Sequence, residues 1–307
     1  AGRRENIIAF IGDGSMSGGE ALEGLNVAGE MQTNFIIVFN DNDQSIAENH
    51  GGMYKEFRRL RETNGTAENN LFRAMGLDYR YVADGNDCEA LIDAFRAVKD
   101  SQTPVVVHIH TQKGKGYKFA EEDHETWHYR MPFDIETGAL KQPYTDPFLA
   151  ATVDFVKAEA QRNPNFVFLA AGTMGGIGLT PADRAALGTQ YVDVGIAEEQ
   201  AVAMASGLAR GGARPIFGTY STFFQRVYDQ MAQDVAVNNN PAVFLTVGAS
   251  MYYMNDVTHL GFFDIPLFAN IPNLVFLAPA GIEEYLAVLR WALAQTAHPV
   301  MIRVPVM

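Results

Sequence analysis

Apolar residues fall along this chain in two rhythms. Unbroken runs at 7–11, 35–39 and 105–109 have the length and content of strands buried on both faces. Between the first two, 18–31 carries Ala21, Leu22, Leu25 and Ala28 at three-to-four spacing, which predicts a helix. Residues 88–98 repeat the helical spacing. After 148 the rhythms alternate again, with strands predicted at 167–170, 191–194, 242–247, 274–277 and 300–304. Helices are predicted at 149–159, 198–209, 222–237 and 282–294. Such alternation implies an α/β protein with two mainly parallel sheets flanked by helices. A polar, two-proline segment at 136–148 reads as a linker between domains at 1–135 and 149–307. The polar stretch 49–70 reads as a loop with a basic patch at Arg58, Arg59 and Arg61.

Two polar clusters end the first two strands: Gly12-Asp13-Gly14 and Asn40-Asp41-Asn42. In open parallel sheets, ligands bind at these carboxyl ends. A glycine-rich turn opening a helix suits phosphate, yet Asp13 in its middle would repel one. A hard divalent cation between carboxylate and phosphate removes the conflict, with the Asn42 amide oxygen as a second ligand. The competing reading is an Asp-Gly turn followed by an unrelated Asn-Asp turn. A nicotinamide-binding fingerprint fits less well, because the acid it needs about 20 residues on falls at Thr33. Glu198 and Glu199 open the helix predicted at 198–209, where acidic residues also simply complement the helix dipole. Phe223 could be core, Arg226 a surface cation and His259 a structural histidine.

Composition narrows the partners. The chain has 307 residues, 48% of them apolar, and a net charge of −13. That charge disfavours nucleic acid or an anionic membrane as the main partner, and no apolar run is long enough to span a bilayer. A single cysteine, Cys88, fits a reducing cytoplasm. The first residue is not methionine and a strand follows almost at once, so an incomplete piece of a larger protein is expected.

Five segments carry a resemblance: GDGSMSGGEALEGLN at 12–26, NDND at 40–43, KGKGY at 113–117, GIAEEQAVAMASGLARGG at 195–212 and YSTFFQRVYDQ at 220–230. Together they resemble the thiamine-diphosphate-dependent transketolase family, most closely its 1-deoxy-D-xylulose-5-phosphate synthase branch. The resemblance covers nearly the whole chain, as the second half of a diphosphate-binding domain plus a pyrimidine-binding domain, without the family's third domain. It implies two thiamine-diphosphate-binding folds, Mg²⁺ held by Asp13, Asn42 and the Gln44 carbonyl, and diphosphate contacts from Gly12, Gly14, Ser15 and Lys113. Glu198 would bond the cofactor's aminopyrimidine and Phe223 would stack on it. Pyruvate would be decarboxylated and its two-carbon unit joined to glyceraldehyde 3-phosphate. His259 and His128 would move protons or position substrate, and Tyr220, Arg226 and Arg303 would hold the acceptor. A cytoplasmic homodimer is implied; unless another polypeptide supplies the missing N-terminal segment, the chain alone is expected to bind cofactor poorly and to turn over little.

Departures from the family pattern fall on the acceptor side. A second phosphate-binding arginine is expected where Val306 stands, with Arg303 three residues earlier. Val247-Gly248 replaces an Asp-Arg pair, Tyr253-Met254-Asn255-Asp256 replaces a Gly-Ala-Asp-Gly, and Gln200 replaces a histidine. The stretch 49–71 is shorter than the family's mobile loop. A transketolase-like enzyme with another donor or acceptor, or a non-catalytic subunit, therefore stays open.

Overall fold

A computed structural model describes residues 5–249 and 258–305. The chain divides into two compact units, Ala1–Pro143 and Tyr144–Met307. The family-pattern changes at Tyr253–Asp256 and Val306 lie outside the described residues.

In the first unit the strands are β1 (Ile7–Gly12), β2 (Phe35–Asp41), β3 (Asp78–Val82) and β4 (Val105–His110). They form one parallel sheet in the order β1-β2-β4-β3. Alternate side chains of β2 leave opposite faces, as the pleat demands. Ile37 and Phe39 pack with Phe57, Leu60 and Phe72, while Ile36 and Val38 join Val105, Val107, Ala94 and Val98. Helix Cys88–Val98 lies on this second face, as the sequence predicts.

The polar stretch 49–70 is less irregular than its composition suggests. It contains helix Met53–Glu62, whose Tyr54, Phe57 and Leu60 recur every third residue and are buried. Apolar residues are few there, so the average hides the stripe. The basic patch dissolves as well. Arg59 pairs with Glu56, and the Arg61 side chain is 10% exposed, paired with Asp41 and Asp43.

Among its described residues the second unit has six parallel strands: β5 (Phe166–Ala170), β6 (Tyr191–Asp193), β7 (Arg214–Tyr220), β8 (Val243–Val247), β9 (Val275–Leu277) and β10 (Val300–Arg303). Their order is β6-β5-β7-β8-β10-β9. β7 lies in the middle, although Arg214-Pro215 and Gly218 make it read poorly as a strand. β3 was equally hidden, because Asp78 and Arg80 interleave with its aromatic residues. Pro147, apparently part of a linker, begins helix Pro147–Arg162, where its missing N–H costs nothing. Asp146 caps that helix, accepting from the Phe148 and Leu149 N–H groups at 2.8 and 3.2 Å. The helix predicted at 222–237 is instead a 3₁₀ segment (Phe223–Val227), one α turn (Tyr228–Gln230) and a π segment (Met231–Ala236).

Candidate active site

Three loops leave the carboxyl ends of β1, β2 and β4 together. The Asp13 N–H donates to the Asn40 carbonyl (2.9 Å) and the Thr111 N–H to the Asp41 carbonyl (2.9 Å). Asp13 is 2% exposed. Its Oδ2 accepts from the Gln44 N–H at 2.9 Å and from Asn49 Nδ2 at 2.6 Å. The same Gln44 N–H donates to Asn42 Oδ1 at 3.2 Å, so carboxylate and amide oxygens converge on one point. Tyr54 donates its hydroxyl to the Asp13 and Gly14 carbonyls from beneath. Burial, with the nearby charge of Asp41 adding to it, pushes the Asp13 carboxyl up to about 6.

That donor set fits Mg²⁺. The oxygens are hard, and a magnesium ion needs only one or two protein carboxylates alongside water and phosphate oxygens. Asn49 Oδ1 is buried without a hydrogen-bond partner, an orphaned acceptor on the side chain that touches Asp13. No group of three His, Cys, Asp or Glu suited to a metal occurs among the described residues, so such a site would lean on amide and carbonyl oxygens. A Cβ on Gly12 would meet nothing within 4 Å, so open space adjoins the turn. Ser15, next to Gly14, is exposed.

Lys113 and His128, far apart in sequence, meet at this turn. Lys113 Nζ bonds the Ser45 carbonyl and lies 3.2 Å from His128 Nδ1. Burial lowers the pKa of Lys113 while Asp13 pulls it back; burial and then the Lys113 charge lower that of His128. Gly114 permits the bend, since its φ is +75° and a Cβ would come within 2.7 Å of the Ala120 backbone.

In the second unit, Glu198 opens helix Glu198–Arg210 just beyond β6 and is 2% exposed. Burial pushes its carboxyl up to about 7, although the Arg226 guanidinium pulls the other way. Arg226 bridges Glu198 Oε2 (3.0 Å) and Glu199 Oε1 (2.9 Å). Tyr220, Phe223 and His259 form an edge-to-face trio with ring centroids 5.4–5.9 Å apart. Thr258 Oγ1 lies 2.8 Å from His259 Nδ1. Arg303 pairs instead with buried Asp264 and donates to the Ala249 carbonyl.

Each unit thus gathers its own share of the expected residues. Asp13, Asn42, Gln44, Lys113 and His128 meet in one; in the other, Glu198 pairs with Arg226, and Tyr220, Phe223 and His259 pack on one another, with Arg303 held on Asp264. Asn49, Tyr54, Arg61 and His108 support the first group and carry no sequence signal beyond their polarity.

Comparison with known proteins decides the lineage. Residues 148–307 match the family described as transketolase, pyrimidine binding domain, and residues 1–70 and 63–111 match the 1-deoxy-D-xylulose-5-phosphate synthase family. This chain belongs to the transketolase family. Curated relatives within it include the 1-deoxy-D-xylulose-5-phosphate synthases of Clostridium tetani and Clostridium acetobutylicum, each 35% identical. The matches cover 99% and 98% of this chain but 55% and 54% of those relatives, so the chain spans about half their length. Among solved structures, the transketolase from Leishmania mexicana aligns over 97% of this chain and 55% of its own, at 15% identity and a TM-score of 0.46. No helix among the described residues is long and apolar enough to cross a membrane.

Proposed function

We propose that this chain takes part in thiamine-diphosphate-dependent carboligation, releasing CO₂ from pyruvate and joining the remaining two-carbon unit to glyceraldehyde 3-phosphate. Such a reaction serves isoprenoid-precursor and thiamine biosynthesis in the cytoplasm. The observation that carries this reading is Glu198, a carboxyl buried to 2% exposure at a helix start and poised near 7. A carboxyl held at that value is divided between its protonated and ionised forms at neutral pH, so it can donate a proton to a ring nitrogen of the cofactor and take it back. Bound, thiamine diphosphate supplies a nucleophilic carbon and an electron sink.

The chain's own residues bind, orient and move protons. Asp13, Asn42 and the Gln44 carbonyl hold Mg²⁺. The Gly14 and Ser15 N–H groups and the Lys113 ammonium meet the diphosphate, next to the open space at Gly12. The Phe223 ring offers a face to the pyrimidine. His259, braced by Thr258, and His128, beside Lys113, are the candidate groups for proton transfer or substrate positioning. Tyr220 lines the acceptor end.

A second reading, a transketolase-like enzyme with a different acceptor, gains from one observation. Arg226 and Arg303, the guanidinium groups expected to hold a sugar phosphate, are both already paired with carboxylates. Partners follow from β1, where Ile7, Ile8 and Phe10 are 54%, 57% and 68% exposed. Parallel sheets are ordinarily covered on both faces, so we assign this strand to a contact with a further polypeptide segment in a homodimeric assembly.

Thermal melting with thiamine diphosphate and Mg²⁺ tests the cofactor. A shift needing both ligands is expected; no shift favours a non-catalytic subunit. Pyruvate-dependent CO₂ release, with and without glyceraldehyde 3-phosphate, then separates the two enzymatic readings.

A further inference from the structure

The turn that carries Asn42 is gripped from both sides by one arginine. Arg61, in the last turn of helix Met53–Glu62, places Nη1 at 2.7 and 2.6 Å from the two carboxylate oxygens of Asp41. Its Nη2 reaches Asp43 Oδ1 at 2.9 Å. Asp41 and Asp43 are the two neighbours of Asn42. Asp43 has φ +59°, a left-handed conformation uncommon outside glycine, and its N–H donates to Asp41 Oδ1 at 3.1 Å. From Asp43 the chain passes to Gln44, whose N–H ties Asp13 to Asn42.

Below the turn the network continues inward. Asp41 is fully buried, and His108 Nε2 lies 3.0 Å from its Oδ2. Tyr79 Oη lies 2.7 Å from His108 Nδ1. Burial opposes the charge on Asp41, but the bonds from His108 and Arg61 outweigh it and hold the carboxyl below its usual range. Burial lowers the pKa of His108. Asp41 is thus held by His108 Nε2 on one side and by Arg61 on the other, with Tyr79 Oη against His108 Nδ1 behind. Every group is paired, as a buried polar network requires.

We propose that Arg61 is a positioning residue for the divalent cation, clamping Asp41 and Asp43 so that Asn42 and the Gln44 carbonyl are preset before metal arrives. It rests on the reading of Asp13 and Asn42 as the metal turn. The bidentate geometry matters, because a guanidinium can span two carboxylates in fixed positions where an ammonium acts as a point charge. Asp41 serves the fold and Asp43 serves the turn; Arg61 joins them.

Two variants separate positioning from folding. Arg61→Lys keeps a cation beside buried Asp41 but loses the bridge. Asp43→Asn keeps the left-handed backbone, which asparagine tolerates, and weakens only the outer arm. Two measurements on the full chain decide. Hydrogen exchange of the ligand-free protein should speed up at residues 42–48 in both variants, with the sheet amides unchanged. Titration of Mg²⁺ at saturating thiamine diphosphate, read by calorimetry, should give an affinity about 10-fold weaker for Arg61→Lys, with Asp43→Asn between it and the parent. Unchanged exchange in the turn overturns the clamp. Faster exchange with unchanged Mg²⁺ affinity overturns the role toward metal and leaves a structural bridge. If the parent chain binds no Mg²⁺ with the cofactor, the proposed function falls along with the metal role, while exchange still decides whether Arg61 holds the turn.

Discussion

The turn at Asp13 and the helix start at Glu198 solve similar problems by different means. Both place one carboxyl at 2% exposure beyond the carboxyl end of a parallel strand, and in both burial raises its pKa. Asp13 accepts from two N–H groups whose side chains or partners bring acceptor oxygens with them: Asn42 Oδ1 shares its Gln44 N–H donor and Asn49 Oδ1 has no partner. Glu198 faces a cation, Arg226, at 3.0 Å. The first arrangement becomes comfortable when positive charge enters. At the second, burial favours the protonated carboxyl and the Arg226 guanidinium the ionised one, so neither form is excluded. On the reading proposed above, the first would hold a metal and the second would exchange a proton, although each is a buried acid at the end of a strand.

Exchanging the two acids for their amides should split the phenotypes, and this is the largest effect expected. Glu198→Gln should leave Mg²⁺-dependent binding of thiamine diphosphate within about threefold. It should lower CO₂ release from pyruvate by about 10²–10⁴, the usual range for a positioned acid–base group. Equal loss of binding and rate would erase the distinction. Asp13→Asn should do the reverse at the first step, weakening Mg²⁺-dependent cofactor binding about 100-fold or more, measured by calorimetry at fixed cofactor. Retained affinity would remove Asp13 from the metal.

Acidity separates the sites next. The folded chain holds the Glu198 proton up to about 7, whereas the unfolded chain releases it near the ordinary 4.5. Between these values the folded state binds more protons, so stability falls as pH rises and the contribution is gone above about 7. The shift corresponds to roughly 3 kcal/mol at most. Denaturant melts of ligand-free protein should show this slope from pH 6 to 8, above the range in which Asp13 adds a slope of the same sign, and Glu198→Gln, a neutral stand-in for the protonated acid, should flatten it there. A slope unchanged by the substitution would assign it to other groups.

The smallest effects distinguish two neighbouring strands of the first sheet. Phe10→Ser on exposed β1 should change melting of the isolated chain by less than about 0.5 kcal/mol, since little is lost from a side chain already in water. Phe39→Ala on neighbouring β2, fully buried, should cost about 3–5 kcal/mol. Phe10→Ser should still weaken assembly, read by sedimentation. A large loss of melting stability on Phe10→Ser would mean that the strand is covered within the chain itself.

Much of this was legible in the order of the residues. Runs such as 35–39 and 105–109 announced their strands because a sheet covered on both faces admits little else. The motifs at Asp13 and Glu198 stood at strand ends, where topology concentrates ligands. What stayed hidden was hidden for identifiable reasons. Arg61 read as part of a basic patch because sequence shows charge and not direction, and its partners lie 20 and 18 positions back. The segmented helix at 223–236 kept Phe224, Val227, Met231 and Val235 buried, so the apolar spacing looked helical while the backbone changed pitch. The engagement of Arg303 by Asp264 depended on a contact 39 residues apart. Lys113 and His128 were each visible, but their meeting over Ser45 was a product of the fold.

The bare strand β1 has a practical corollary. Its sequence, Ile-Ile-Ala-Phe-Ile-Gly, has no proline and no charge, and among the described residues only β2 pairs with it. A short, uncharged, β-prone ribbon with one unsatisfied edge is a template for intermolecular stacking. Purified alone at high concentration, the polypeptide should tend toward aggregates seeded at Ile7–Gly12, and a lysine at Ile8 should keep it dispersed.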